Sequence, residues 1–219
     1  MSTPCSELTG FEHLFDSDGM ALVSATAAES LRALPLTGWP VAEPVLPMRP
    51  ELASVLPDGG LRPGSTVSVI GSTSLLLCLA SEVSAAGGWV AAVGFDTVGA
   101  VAAAEIGIDL ERFVVIGEPG AQWASVAAVL LDAADLMLLK PPPRPNSADL
   151  RRLTARARER KAVLLCAGEW QGADLRLVVG SNRWDGLGVG HGHLSTHELE
   201  ITVEGRRSPR PRSTSIRLS

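Results

Sequence analysis

Lysine is almost absent from this chain, and tyrosine is absent altogether. The 219 residues include 17 arginines but only two lysines, Lys140 and Lys161, and the nine aromatic side chains are four Phe and five Trp. After Trp123 the sequence holds only Trp170 and Trp184 as aromatics. A row of aromatic side chains that stacks on successive bases of a single strand is therefore excluded, and stacking is left at one or two places.

Cysteine is also scarce, and the three cysteines are far apart. Cys5, Cys78 and Cys166 form no CxxC pair, so we expect neither a zinc ribbon nor a disulfide framework. Cys78 and Cys166 lie in apolar runs and are predicted to be buried free thiols. The sequence also lacks a signal peptide and any run of about 20 apolar residues that could span a membrane. We therefore expect a soluble cytoplasmic protein with no membrane partner.

Basic residues are scarce in the first part of the chain and concentrated in the last. Residues 1–139 carry four arginines, no lysine and 16 acidic residues, a net charge of −12, whereas residues 140–219 carry 15 basic and eight acidic residues, a net charge of +7. This asymmetry predicts that one end meets a polyanion or an acidic protein, while the other stays in solvent or meets a basic partner. The alternative is attraction between the two halves of the same chain.

Residues 1–34 are predicted to form a helical arm, and residues 35–60 a proline-rich linker. Four apolar residues of the arm recur at helical spacing and form one stripe: Leu8, Phe11, Leu14 and Phe15. The stripe either packs on the protein's own core or enters a groove of a partner or of a neighbouring subunit, which would give self-association. Seven prolines between positions 35 and 63 favour an extended connector along the surface.

From position 61 onward, short apolar runs alternate with helical stretches, a pattern typical of strands that helices cover on both faces. The predicted strands are 66–70, 89–95, 113–116, 136–139, 162–167, 175–179 and 198–203. The predicted helices are 75–86, 97–106, 122–134 and 148–160. We therefore predict an α/β core over residues 61–205, with a mostly parallel twisted sheet flanked by helices and an antiparallel extension formed by the last two strands.

Residues 206–219 form a basic tail. Its five arginines are Arg206, Arg207, Arg210, Arg212 and Arg217. Acidic residues are missing after Glu204, and Pro and Ser separate the arginines, so we predict that the tail is disordered on its own. Together with the arginines of the helix at 148–160, the tail is expected to contact a polyanion such as single-stranded DNA, or a partner protein. The alternative for the helix is an ordinary solvated face.

The predicted strand at 66–70 runs into a glycine and then a helix, a geometry that aims backbone N–H groups at an anion. A working phosphate loop needs the pattern G-x-x-x-x-G-K-[ST], whose lysine reaches the β and γ phosphates. The second glycine and the lysine are missing from this turn, which reads Gly71, Ser72, Thr73, Ser74 and then three leucines. The hydroxyls either cap the helix, which their capping preference favours, or are a remnant of phosphate binding. We expect no nucleotide cofactor.

Three stretches of the sequence resemble RecA-like recombinases. "ELASVLPDGGLRPGSTVSVIG" resembles the start of the recombinase core, and "GFDTVGAVAAAEIGIDLERFVVIGEPG" resembles its next strand, helix and strand. The residues from 173 to 218 resemble a recombinase ending, with a strand, an irregular loop, a strand and a basic tail. Within this superfamily the chain is similar to the short, degenerate proteins called ImuA or, in actinobacteria, ImuA-prime. SulA-type cell-division inhibitors are a more distant resemblance.

The resemblance implies a non-catalytic accessory role in the DNA-damage response. ImuA-prime proteins act in induced mutagenesis beside ImuB, a homologue of Y-family polymerases, so the implied partner is ImuB-like and the implied process is error-prone translesion synthesis. The recombinase strand at 136–139 should end in a metal-holding aspartate, where this chain has Lys140. Asp96 lies near the place of the water-activating glutamate. The alternatives are a SulA-like division inhibitor and a weakly active RecA-type, DNA-dependent ATPase.

Other chemistry is not expected from the sequence. The histidines at 191, 193 and 197, with Asp185, lack a cysteine partner and a helical i, i+4 pair, so we predict no metal site. The glycines at 186, 188 and 190 do not open a helix after a strand, which excludes a dinucleotide fingerprint and favours a mobile loop. No serine lies in a G-x-S-x-G elbow. We therefore expect a protein that is not an enzyme.

Overall fold

The computed structural model describes residues 45–46, 48–96, 98–187, 192–205 and 208–218, and for 184–187, 192–196, 208–210 and 218 it describes the backbone only. The chain divides into two units after Pro35. The first unit, with Cys5 and the apolar stripe of Leu8, Phe11, Leu14 and Phe15, lies outside the described residues. The architecture that follows is that of the second unit.

Strands and helices alternate through most of the second unit. The strands are β1 Thr66–Ile70, β2 Val90–Val93, β3 Phe113–Ile116, β4 Leu136–Leu139, β5 Val163–Ala167, β6 Leu175–Leu187, β7 Gly192–Gly205 and β8 Ser208–Leu218. The helices are α1 Pro50–Val55, α2 Thr73–Ala85, α3 Ala100–Glu105, α4 Trp123–Leu130 and α5 Ser147–Arg160. Short 3₁₀ turns precede β3 and α4, at Leu110–Arg112 and Gly120–Gln122.

All eight strands form one sheet, in the order β3-β2-β4-β5-β1-β6-β7-β8. The strands from β3 to β6 in this order are parallel, and β7 runs antiparallel to both β6 and β8. Every residue of β2 and β4 is buried, because helices cover both faces of the parallel part. The predicted α/β class, with a mostly parallel sheet and antiparallel C-terminal strands, is confirmed.

Residues 45–60 differ from the extended surface linker that the prolines predict. Leu46 pairs with Leu61 in an isolated antiparallel bridge, and α1 buries Leu52 and Val55 against the core. Pro50 opens α1, a position where a helix tolerates proline because the missing N–H would have no intrahelical partner. The proline count therefore predicts irregular backbone but misses the burial of the leucines between the prolines.

The C-terminal region also differs from its prediction. The predicted tail includes β8, which pairs with β7 from His197 opposite Leu218 to Gly205 opposite Ser208. The pairing satisfies backbone groups, and Ile216 joins the hydrophobic core with 5% of its surface exposed. β6 and β7 extend well beyond their predicted ends, so part of the predicted glycine-rich loop belongs to these strands.

Candidate functional site

The candidate site lies where the parallel strands end at their carboxyl edge. In open α/β sheets, ligands bind outside this edge, at a point where the strand order reverses. Here the connections from β1 lead away to β2 on one side of the sheet, while β6 lies on the other side of β1. The turns after β1, β2 and β4 are therefore the place to look for nucleotide chemistry.

The turn after β1 consists of Gly71 and Ser72 alone, since α2 begins at Thr73. Ser72 is the N-cap of α2, and its Oγ accepts a hydrogen bond of 3.1 Å from the backbone N–H of Leu75. Ser72 is buried, Ser74 is half-buried and Thr73 is exposed. The hydroxyl of Ser72 thus satisfies a helix terminus, as the capping interpretation predicts.

The neighbouring strand β6 and the backbone conformation both restrict position 71 to glycine. Its φ of +91° lies in the left-handed region that favours glycine. A Cβ atom added there would come within 2.9 Å of the carbonyl oxygen of Val179 on β6. β6 therefore leaves no room for a side chain at position 71.

The turns after β2 and β4 bring a cation and an anion together. Nζ of Lys140, just beyond β4, lies 3.7 Å from Oδ1 of Asp96, just beyond β2, and about half of each side chain is exposed. β2 and β4 are neighbours in the sheet, and the amide of Lys140 donates to the carbonyl oxygen of Val93 at 2.9 Å. Lys140 and Asp96, which sequence analysis considers separately, therefore form one exposed ion pair, and each partly neutralises the charge of the other.

The basic face predicted for α5 is largely paired with acidic residues of the same chain. Arg156 and Arg160 both bind the carboxylate of Asp132, whose side chain is 8% exposed. Arg158 lies 3.4 Å from Asp174, and Arg152 lies 3.3 Å from Asp149. The pairs of Arg156 and Arg160 with Asp132 join the two halves of the chain and favour the attraction between them that the charge asymmetry left open. Three other cations of this region are exposed: Arg144, Arg151 and Lys161.

Asp132 is the centre of this cluster, and no motif in the sequence points to it. Burial alone would raise the pKa of its carboxyl, but the hydrogen bonds and charges of Arg156 and Arg160 outweigh that effect and lower the pKa. Asp135, three residues later, shows the opposite balance. Burial raises its pKa above the ordinary value, although its carboxylate accepts a 2.8 Å hydrogen bond from the amide of Trp89.

The two described cysteines are buried free thiols, as predicted. Burial raises the pKa of Cys78 to about 11 and that of Cys166 well above its ordinary value. Neither thiol can therefore serve as a nucleophile at neutral pH.

His197 is the one histidine of the glycine-rich region whose side chain is described. It is buried, its Nε2 lies 2.5 Å from Oδ1 of Asn182, and burial lowers its pKa. Within the part of the chain that the structure describes, no group of three or more His, Cys, Asp or Glu side chains could hold a metal ion. The side chains of Asp185, His191 and His193 lie outside the description.

Two tail arginines, Arg212 and Arg217, are exposed on β8. Arg206 and Arg207 lie outside the described residues, as does the side chain of Arg210. Contact of the tail with a polyanion stays a prediction, and most of the segment it concerns is the strand β8.

Among the described residues, no helix is long and apolar enough to cross a membrane.

Residues 54–172 match the family described as MT3502 N-terminal domain. The chain is 41% identical to the uncharacterized protein Rv3395c of Mycobacterium tuberculosis over 155 residues, 67% of this chain and 76% of that protein. It is also similar to the crystal structure of SulA from Pseudomonas aeruginosa, with 16% identity and a TM-score of 0.40 over 47% of this chain and 96% of SulA. The family match covers more than half of the sequence, and the chain belongs to the MT3502 N-terminal domain family.

Proposed function

We propose that this protein is a non-catalytic, RecA-like accessory protein of the ImuA-prime type. It supports error-prone translesion synthesis after DNA damage by binding an ImuB-like partner. The non-catalytic part of the proposal rests on one observation: only Gly71 and Ser72 separate β1 from α2, where the pattern G-x-x-x-x-G-K-[ST] needs a longer loop. The ion pair of Lys140 with Asp96, in place of a metal-holding carboxylate, supports it.

Titration calorimetry of the full chain with Mg-ATP tests the non-catalytic part. We expect no saturable heat, and ATP turnover at background level with single-stranded DNA present. Lys140→Ala is the matched variant, because it removes the cation and leaves the short turn unchanged. Micromolar affinity in the native chain would overturn the proposal, and affinity gained only by Lys140→Ala would show that the cation, not the turn, blocks binding.

The partner part of the proposal is tested by affinity purification from cells treated with a DNA-damaging agent. An ImuB-like protein is the expected partner. The double variant Phe11→Ala, Phe15→Ala is expected to weaken partner binding or self-association without lowering the melting temperature. Burial of both rings in a partner's groove would contribute on the order of 3–6 kcal/mol before ordering costs. A lowered melting temperature with unchanged assembly would place the stripe in the protein's own core.

A contact between the C-terminal arginines and single-stranded DNA is the third part of the proposal. Deletion of the tail is a poor test, since β8 supplies Ile216 to the core. The double variant Arg212→Gln, Arg217→Gln keeps the strand and removes two exposed cations. We expect weaker binding and a shallower salt dependence than for the native chain. Arg152→Gln, which changes an arginine paired with Asp149, is the control that should change little.

A further inference from the structure

We propose that the open edge of β3 binds an extended, basic segment of a partner protein as an added strand. This inference goes beyond the function proposed above, because it concerns a different part of the sheet and does not depend on the turn after β1. Four observations carry it: the direction of the peptide groups of β3, the exposed apolar side chains around it, the contrast with the other edge of the sheet, and the local charge.

The peptide groups of β3 leave donors and acceptors at the edge. Among the described residues, β3 pairs with β2 alone and is the last strand of the sheet. The amide of Gly94 donates to the carbonyl oxygen of Ile116 at 2.8 Å, so the peptide group of Ile116 faces the sheet. Because peptide groups alternate along a strand, those of Phe113 and Val115 face outward. An incoming strand would pair with these groups.

The β3 edge is also apolar and incompletely covered. All residues of β2 are buried, whereas none of β3 is, and Val115 is 41% exposed. Two further large apolar side chains of the segment that leads into β3 are exposed, Val101 at 73% and Leu110 at 44%. Val115 on β3, and Leu110 in the 3₁₀ turn that runs directly into β3, therefore give this edge an exposed apolar character.

The opposite edge of the sheet is protected against strand addition, and the β3 edge is not. β8 contains Pro209 and Pro211, which have no amide hydrogen to donate, and it exposes Arg212 and Arg217. Proteins use proline and charged side chains in this way to keep edge strands from pairing. β3 is Phe-Val-Val-Ile and contains neither device. β3 has only four residues, and an apolar edge without proline or charge, in a chain that has both at its other edge, favours a short added strand as its occupant.

The charge around β3 favours a basic occupant. Asp109 and Glu111 precede the strand, Glu118 follows it, and all three are exposed. Arg112 is the only basic residue between positions 97 and 139. The chain's own residues 1–35 carry five acidic residues and one arginine, so like charge disfavours them at this edge. The occupant is therefore a basic, extended segment of another protein, held by main-chain hydrogen bonds and steered by the acidic residues.

A short synthetic peptide in which Arg alternates with Val and Thr is the probe. We expect saturable binding to the full chain at low ionic strength, with the largest NMR shift changes at the amides of Phe113–Ile116 and of β2. The same peptide, N-methylated at alternate residues, cannot donate the ladder hydrogen bonds. Its affinity should be lower by a factor of about ten or more. Equal binding of the two peptides, no saturable binding of either, or shift changes confined to β8 would overturn the proposal.

Two substitutions test the edge from the side of the protein. Val115→Pro removes an outward amide without removing a hydrogen bond to β2, and it should weaken binding of the unmethylated peptide because a ladder hydrogen bond to a peptide carbonyl is lost. If its melting temperature shows that Val115→Pro is unfolded, Glu118→Lys decides instead. Glu118→Lys should weaken peptide binding about threefold, whereas the same charge change at the exposed Glu159 of α5 should have less effect. Equal effects of the two charge changes would show that the peptide is attracted by the net charge of the protein and not by the β3 edge, which would overturn the proposal.

Discussion

Asparagine substitutions at Asp132 and Asp135 are expected to change stability with opposite dependence on pH. Both residues lie in the short connection between α4 and β4, and the chemical change is the same. The carboxylate of Asp132 accepts hydrogen bonds from Arg156 and Arg160, whereas that of Asp135 accepts one from the amide of Trp89. The difference between the two variants therefore reflects the arginines beside Asp132 and the burial that raises the pKa of Asp135.

For Asp132→Asn we expect a loss of about 2 kcal/mol in the free energy of unfolding at neutral pH. Hydrogen bonds between charged groups contribute roughly 1.5–3 kcal/mol each, and the exposure of Arg156 (34%) and Arg160 (48%) reduces the sum by solvent screening. In a chain of this size the loss corresponds to about 4–8 °C in melting temperature. The folded-state pKa of Asp132 is lowered below 3.8, so its ionised form stabilises the fold above the unfolded-state pKa.

For Asp135→Asn we expect no loss at neutral pH, or a small gain. The folded-state pKa of Asp135 is raised above 3.8, chiefly by burial, so its contribution is complete below the unfolded-state pKa and is lost as the pH rises through the folded-state pKa. At pH 7 the charged form is therefore a cost, which an amide removes while its oxygen still accepts from Trp89.

Urea unfolding followed by tryptophan fluorescence at pH 7, 5 and 4 measures both effects. The gap between the native chain and Asp132→Asn should stay constant from pH 7 to 5 and narrow toward pH 4, where the native chain begins to lose the stabilisation. The advantage of Asp135→Asn should fade over the same range. Equal losses for the two variants at every pH, or a gap for Asp132→Asn that widens in acid, would refute the reasoning.

Two further predictions concern backbone geometry and thiol chemistry. Gly71→Ala should destabilise the fold by more than Gly172→Ala. Both glycines have positive φ, but only at position 71 would the new Cβ lie 2.9 Å from a carbonyl oxygen of β6. Thermal melts of the two variants measure the difference in stability. In a Cys5→Ser chain, Cys78 and Cys166 should not react with a disulfide reagent at pH 8 until denaturant is added, because both thiols are buried and their pKa values are raised; rapid reaction in the native state would contradict their burial.

The parallel part of the fold follows from local pattern. β1, β3 and β4 begin and end at the predicted residues. β4, which is buried throughout, shows the continuous apolar sequence that is typical of a strand covered on both faces. Composition does not predict the structure of a segment that is ordered by pairing with another strand. The basic tail has the composition of a disordered segment, yet β7 offers it a ladder and the core accepts Ile216.

The candidate site could be predicted residue by residue but not as an arrangement. The missing phosphate-loop lysine and the presence of Lys140 are evident in the sequence. The pairing of Lys140 with Asp96 depends on β2 and β4 being neighbours, which the order of strands along the chain does not specify. The pairing of Arg156 with Asp132 likewise joins residues 24 positions apart, so α5 looked more available to a polyanion than it is.

The turn after β1 is stabilised by groups of the same chain. In a working phosphate loop, the ligand supplies acceptors for the free amides at the start of the helix. Here Ser72 supplies an acceptor from within the chain, and Leu75, Leu76 and Leu77 anchor the first turns of α2 in the core. The hydroxyl of Ser72 and the buried leucines therefore stabilise the start of α2 from within the chain. Among the described residues, the edge of β3 is the apolar edge of the sheet that has no partner strand, which is why the strand-addition test is directed there.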